Sequence, residues 1–303
     1  MHELKRVVVV GAGTMGSQIA LQTALGGRHD VTLVDTVAGQ LERARAQNRK
    51  LLDRSVEKGR LTKDAADAAL KRIVDSKDLA APAATADLVI EAVIENFDAK
   101  KSVFEDLGKH ANEHAILASN SSTIAISRLA DASGRPQLCC NMHFFHPVTV
   151  MQLCEVVRGP KTSDETVEAA MEFIRSIDRT PVLLKKEIWG FIVNRILFAA
   201  SEEAMRLLEG GYASAEDIDI AVQKGLNWPM GPFHCSTSAA STSSTGRCRT
   251  GTAQAMVPSR LRSCASSSRR AGWGARRVRA SSITANQAKI DLAPVAQWQR
   301  QPA

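Results

Sequence analysis

Along the chain, apolar and polar positions alternate between two rhythms and then lose both. RVVVV, ending at Val10, is an unbroken β-branched run and predicts a strand buried on both faces. Helical spacing follows from about Met15 to Gly26, and VTLV then predicts a second buried strand ending at Asp35. A charged amphipathic pattern from about Gly39 to Lys58 predicts a long helix, with a shorter one near Lys63 to Lys71. Short apolar runs predict further strands near Ile73 to Val74, Leu88 to Ala92 and Ile116 to Ala118. Strand and helix periods in alternation predict an α/β fold with a doubly wound, Rossmann-type sheet.

From about Lys186 the pattern becomes helical only. GFIVNRILFAASEEAMRLLEGG predicts a long amphipathic helix ending at Gly210 and Gly211. SAEDIDIAVQKG predicts a second, with Ser214 as N-cap and Gly225 as stop. After Phe233 neither period survives. The expected division is therefore an α/β domain over 1–185, the start of a smaller all-α domain over 186–233, and an irregular, disordered tail over 234–303.

A chain of 303 residues is long enough for one large core and a smaller second one. Its net charge of +7 needs dividing: residues 1–233 hold 28 Lys and Arg against 31 Asp and Glu, whereas the tail holds 11 against 1. The tail lacks interleaved aromatics or a known binding motif, which argues against nucleic acid as its partner. The charged start MHELKR and the lack of any apolar run of spanning length predict neither signal peptide nor membrane anchor. Six cysteines without CxxC spacing read as reduced thiols of a cytoplasmic protein.

Candidate chemistry begins where the first strand ends. GAGTMG sets Gly11, Gly13 and Gly16 in GxGxxG order, with Thr14 and Met15 in the same loop. The first glycine permits a tight turn, the second lets a pyrophosphate approach the backbone, and the third lets the helix pack closely. Asp35 stands nineteen residues after Gly16, where a carboxylate accepts from ribose hydroxyls and repels a 2′-phosphate. The cofactor predicted is NAD rather than NADP.

Three further groups of residues matter. Glu91 and Glu95 fall at the carboxyl end of a buried strand, followed by Asn96 and Lys100; a strand-end cap and a solvated charge explain the two acids as well as a ligand does. ASNSST, after Ile116, supplies small hydrogen-bonding side chains at another strand end, or a cap for a following helix. In NMHFFHPVTVMQLCEVV, His143 precedes Glu155 by twelve residues. If the chain folds back at Pro147, the carboxylate holds the imidazole in one tautomer, which suits a general acid/base. A buried histidine satisfied by an acid is the structural alternative.

Taken together, GAGTMGSQIA, DLVIEAVIEN, ASNSST, HFFHPVTVMQLCEVV, GFIVNRI and GLNWPMGPF resemble the NAD-dependent L-3-hydroxyacyl-CoA dehydrogenases, including the 3-hydroxybutyryl-CoA type, from Val7 to Phe233. The resemblance implies that His143 is the catalytic acid/base, that Glu155 orients it, and that Ser122 and Asn194 hydrogen-bond the reacting substrate. It implies that Glu95 and Lys100 contact the nicotinamide half of the cofactor, and that an acyl-CoA is the substrate, with Lys58 and Arg60 near the CoA, although a solvated helix end explains those two bases as well. A homodimer through the helical domain is also implied, and so is a place in fatty-acid or butanoate metabolism. A related dehydrogenase of a non-CoA hydroxy acid, such as a sugar acid, stays open, as does an impaired NAD-binding protein with a basic nucleic-acid-binding tail.

The chain departs from the family pattern twice. His146 stands where the family has asparagine; with His143 it makes an HxxH spacing, but the following proline and the lack of a third ligand argue against metal. The second departure is the tail, which reads as translated out of frame. His234 to Thr245 in GC-rich codons, read from the third base, can give PLLDFGGLDVFD, and Gly272 to Thr284 can give GLGRKTGPGFFDY, both resembling the family's continuation. Loss of the later helices is expected to leave Phe191, Ile192, Leu197 and Leu208 without apolar partners.

Overall fold

The computed structural model describes residues 4–234. The tail from 235 onward, and with it the out-of-frame reading, lies outside the described residues. In chain order the elements are β1 (Arg6–Val10), α1 (Thr14–Leu25), β2 (Asp30–Val34), α2 (Gln40–Glu57), α3 (Lys63–Lys71), β3 (Ile73–Ser76), α4 (Ala80–Ala83) and β4 (Leu88–Glu91). Then come α5 (Phe97–His110), β5 (Ile116–Ser119), β6 (Cys139–Phe144), β7 (Leu153–Arg158), α6 (Asp164–Ser176), β8 (Thr180–Leu184), α7 (Val193–Glu209) and α8 (Ala215–Leu226).

Eight strands form one sheet in the order β3-β2-β1-β4-β5-β6-β7-β8. All neighbours are parallel except β6 and β7, which pair antiparallel. The chain runs outward from β1 to β3 on one side, then returns to build β4 to β6 on the other. The switch point lies between β1 and β4, where an open α/β sheet leaves a crevice at its carboxyl edge.

β1 shows why such strands are apolar on every residue. Val7 and Val9 pack into the core on one face with Ile19, Leu21, Leu33 and Phe173. Val8 and Val10 pack on the other with Val89, Phe104, Leu107 and Leu117. With helices on both faces, period-two alternation loses its polar half. Each fully buried valine contributes about 1.5–3 kcal/mol relative to exposure.

Two expectations on the helical segment are corrected. Gly225 does not stop α8, which runs through it to Leu226 and ends at Asn227 with φ 56°. Asparagine tolerates the left-handed conformation and supplies the turn that glycine was expected to give. Ser214 caps the other end, its Oγ accepting from the Asp217 amide at 3.1 Å. Phe191 does have apolar partners: it is 1% exposed and packs with Val157 and Leu184 of the sheet. Ile192 is exposed, and Leu197 and Leu208 are partly so.

Candidate active site

The glycine loop is shaped by what each missing side chain would meet. At Gly11, φ is 103° and a Cβ would lie 2.7 Å from the Ala92 carbonyl oxygen, across the switch point. At Gly16 a Cβ would sit 1.8 Å from the Gly11 carbonyl oxygen, so the start of α1 packs on the loop backbone. Around Gly13 nothing lies within 4 Å of a Cβ position. That open space faces the N-cap of α1, whose first turn carries no acid. A tight turn, an open middle glycine and a helix start without negative charge fit a dinucleotide pyrophosphate. Thr14, Met15 and Gly16 begin α1.

Asp35 follows β2 at the same edge. Its Oδ2 accepts from the Ala12 amide at 2.7 Å and its Oδ1 from the Val37 amide at 2.8 Å. The carboxylate is thus held beside the glycine loop. Gln40 ties the loop from the other side, Nε2 donating to the Ala12 carbonyl at 3.0 Å.

At the end of β4 the two acids have separate surroundings. Glu91 is fully buried; it accepts from Lys100 Nζ at 2.7 Å and from Ser119 Oγ at 2.6 Å. Its Oε1 also accepts from the Val93 amide at 2.8 Å, so it caps the strand end as expected, but as a buried, paired carboxylate and not as a solvated charge. Glu95 is bonded through one oxygen, Oε1, to Ser121 Oγ (2.5 Å), Thr123 Oγ1 (2.9 Å) and the amides of Ser122 (3.0 Å) and Thr123 (3.2 Å). Its Oε2 lies 3.2 Å from Lys100 Nζ. Lys100 therefore lies enclosed between two carboxylates. Burial works to raise the Glu95 carboxyl, but the Ser121 hydroxyl, the Lys100 ammonium and the Thr123 hydroxyl outweigh it and hold the group below its ordinary value. The ASNSST segment leads into a short 3-10 turn, Ile126–Arg128, and not an α-helix. Ser121 Oγ accepts from the Ile124 amide, which shapes the turn that presents Ser122 half-exposed.

His143 and Glu155 are directly opposed residues of the β6–β7 pair. Cross-strand partners project to the same face, and here the side chains meet: His143 Nδ1 lies 2.8 Å from Glu155 Oε2. Both are buried, the histidine between the rings of Phe145 and Phe191. The other carboxylate oxygen, Oε1, accepts from the amides of Ile192 (3.0 Å) and Val193 (2.9 Å), where α7 begins. Burial works to raise the Glu155 carboxyl; the His143 ring and these two amides outweigh it and hold the group below its ordinary value. With the carboxylate accepting at Nδ1, the imidazole keeps its proton there and leaves Nε2 as the basic nitrogen.

The loop between β6 and β7 is fixed to the cofactor-side helix. Gln18 Oε1 accepts from the Val148 amide at 2.9 Å, and Arg179 donates to the Val148 carbonyl and to Gln22 Oε1. Asn194 lies in the first turn of α7, half-buried. Lys58 is the exposed C-cap of α2, and Arg60 is exposed beside it. His146 is exposed in the loop. Among the described residues no group of three His, Cys, Asp or Glu side chains could hold a metal, and no helix is long and apolar enough to cross a membrane.

Sequence patterns alone missed several of these residues. Ser119, Gln18, Arg179 and the two α7 amides become neighbours of the site only through the sheet. Phe191 left one signal, a large residue directly after Gly190 in a turn, and it takes φ 49° there.

The family model described as the NAD binding domain of 3-hydroxyacyl-CoA dehydrogenase matches residues 6–188. The chain belongs to the 3-hydroxyacyl-CoA dehydrogenase family. The model of that family's C-terminal domain matches residues 190–257, reaching beyond Phe233. The human mitochondrial hydroxyacyl-coenzyme A dehydrogenase is 41% identical over 239 residues, covering 76% of this chain and 74% of the relative. A probable 3-hydroxybutyryl-CoA dehydrogenase of Deinococcus radiodurans is 43% identical over 225 residues, covering 74% and 80%. The crystal structure of (S)-3-hydroxybutyryl-CoA dehydrogenase PaaH1 from Ralstonia eutropha superposes with a TM-score of 0.75 at 37% identity, covering 78% of this chain and 82% of that one. The NAD-binding region of this 3-hydroxyacyl-CoA dehydrogenase family member thus extends over β1 to β8.

Proposed function

We propose that the chain interconverts L-3-hydroxyacyl-CoA, 3-hydroxybutyryl-CoA first among them, and 3-ketoacyl-CoA, with His143 as general acid/base. The observation that carries this is the buried 2.8 Å contact between His143 Nδ1 and Glu155 Oε2. It lies on the strand edge where the glycine loop, Asp35 and the Ser122 turn also end.

NAD, when bound, supplies the acceptor for the C3 hydride, and NADH the donor in reverse. Every other task falls to the polypeptide. Gly13 gives the pyrophosphate room, and Asp35 accepts from the adenosine ribose. Glu95 and Ser122 face the nicotinamide half, and Lys100 serves it through Glu95. His143 takes the 3-hydroxyl proton at Nε2 and returns it to the carbonyl oxygen in the opposite direction, while the Glu155 carboxylate stabilises the imidazolium. Ser122 and Asn194 hold the reacting oxygen in place, and Lys58 offers a cation to the CoA phosphates. Acid/base assistance of this kind is worth roughly 10²- to 10⁴-fold.

The domain division at 185/186 and a cytoplasmic location belong to the same proposal, supported by the likeness to the relatives. The homodimer that the family resemblance implies is not proposed for this chain, because α7 and α8 leave large apolar residues exposed. NADH oxidation measured with acetoacetyl-CoA and longer 3-ketoacyl-CoA substrates tests the reading. Turnover that is highest with the acetoacetyl ester and competed by free CoA supports it; indifference to CoA would redirect the assignment to a non-CoA hydroxy acid.

A further inference from the structure

Glu155 accepts three hydrogen bonds on two oxygens while fully buried. Oε2 faces the His143 ring, and Oε1 faces two amides at the first turn of α7. The side chain is fully buried, so no solvent can replace any of these donors. Ile192, the N-cap residue of α7, gives the helix no side-chain cap. Two of the amides that every helix leaves unpaired at its start are instead satisfied by a carboxylate 37 and 38 residues earlier in the chain. A negative charge there also meets the positive end of the helix dipole. The turn into the helix holds Gly190 at φ 75° and Phe191 at φ 49°. A left-handed phenylalanine is strained by its Cβ, and burial of its ring against His143 offsets that strain.

We infer that the amino end of α7 is a positioning element for the catalytic base: by fixing one oxygen of Glu155 it fixes the other on His143 Nδ1, and so sets the imidazole tautomer. The inference rests on the reading of His143 as the base. Its consequence is that the segment carrying Asn194 and the group that moves the proton are adjusted together, because Val193 and Asn194 are consecutive. When α7 is seated, substrate contact and base orientation are achieved at once.

A glutamine at 155 makes the clamp visible. Its amide has one acceptor atom and one donor group where the carboxylate has two acceptors. With its oxygen on the two α7 amides, its NH₂ must face Nδ1, which then has to be the unprotonated nitrogen. The proton moves to Nε2, and the ring can no longer accept from a hydroxyl. With the oxygen toward His143, the active tautomer survives but NH₂ opposes two N–H groups. Two donors against one favour the first arrangement.

The experiment is ¹⁵N NMR of histidine-labelled full-length chain, wild type and Glu155→Gln, alongside kcat and NADH binding. The expected wild-type ring carries its proton on Nδ1, and the Glu155→Gln ring on Nε2, with NADH affinity kept and kcat lower by about 10⁴-fold, the scale for a catalytic histidine held in the wrong tautomer. A variant ring that stays protonated on Nδ1 overturns the inference, whatever its activity. A ring that switches to Nε2 while kcat stays within tenfold upholds the clamp and removes His143 from the role of base. Should Glu155→Gln fail to fold, a uniformly ¹⁵N-labelled wild-type chain still decides: the Ile192 and Val193 amide resonances are expected to move when the His143 ring changes protonation, and amides that do not respond overturn the inference.

Discussion

Lys100 and Glu91 neutralise each other inside the protein, Nζ lying 2.7 Å from Oε1 with side chains 1% and 0% exposed. Lys100 is on the first turns of α5 and Glu91 ends β4, so the pair locks that helix to the strand beside the switch point. The same ammonium reaches Glu95, whose Oε1 gathers the donors of the Ser121–Thr123 turn. Removing one partner of a buried pair leaves the other charge uncompensated. Lys100→Met is expected to lower unfolding free energy by about 3–5 kcal/mol in urea titration. A loss under about 1 kcal/mol would mean that the pair is solvated in solution.

Gly13 and Gly16 should separate binding from folding. Gly13→Ala adds a methyl to open space and is expected to cost under about 1 kcal/mol as an N-cap change, while NAD binding measured by calorimetry weakens at least tenfold. Gly16→Ala drives a Cβ into the Gly11 carbonyl and is expected to unfold the loop and lower Tm by many degrees. Equal stability of the two variants would contradict the packing described.

Acid should weaken the fold over a definite window. Glu155 and Glu95 are both held below their ordinary values in the folded state, against the upward push of burial. A depressed folded value contributes stability that is fully present above the unfolded value, about 4.3, and is lost as pH falls through the lower folded one. Melting followed by circular dichroism is expected to be flat from about pH 7 to about pH 5 and to fall below about pH 4. Stability that rises on acidification would reverse the sign.

The helical segment leaves Ile196, Phe198, Leu207, Ile220 and Leu226 exposed by 37% or more. Apolar surface carries about 25 cal/mol per Å² of driving force for burial. Sedimentation of the full chain is expected to show concentration-dependent association with slow turnover. A compact, monodisperse, fully active dimer would count against it.

Much of the site was legible because its signals are local. The strand, glycine loop, helix and Asp35 lie within 35 residues, and each glycine's role follows from its own backbone. His143 and Glu155 were legible as a pair because a short antiparallel return can oppose residues twelve apart. Lys100 was placed at the cofactor by resemblance, yet its burial depends on Glu91, a residue that looks like any strand-end acid. The Glu155 clamp escaped notice because its donors are backbone amides, which every residue but proline possesses. Gly225 misled because Asn227, two residues on, supplies the same left-handed turn.

In the proposed NAD-linked oxidation His143 is the group that moves the proton. Steady-state NADH oxidation with acetoacetyl-CoA by the wild-type chain and His143→Ala, with NADH affinity measured on both, tests it most directly. A fall in kcat of at least about 10²-fold with NADH binding unchanged is expected. A variant that keeps half of the wild-type rate would contradict it.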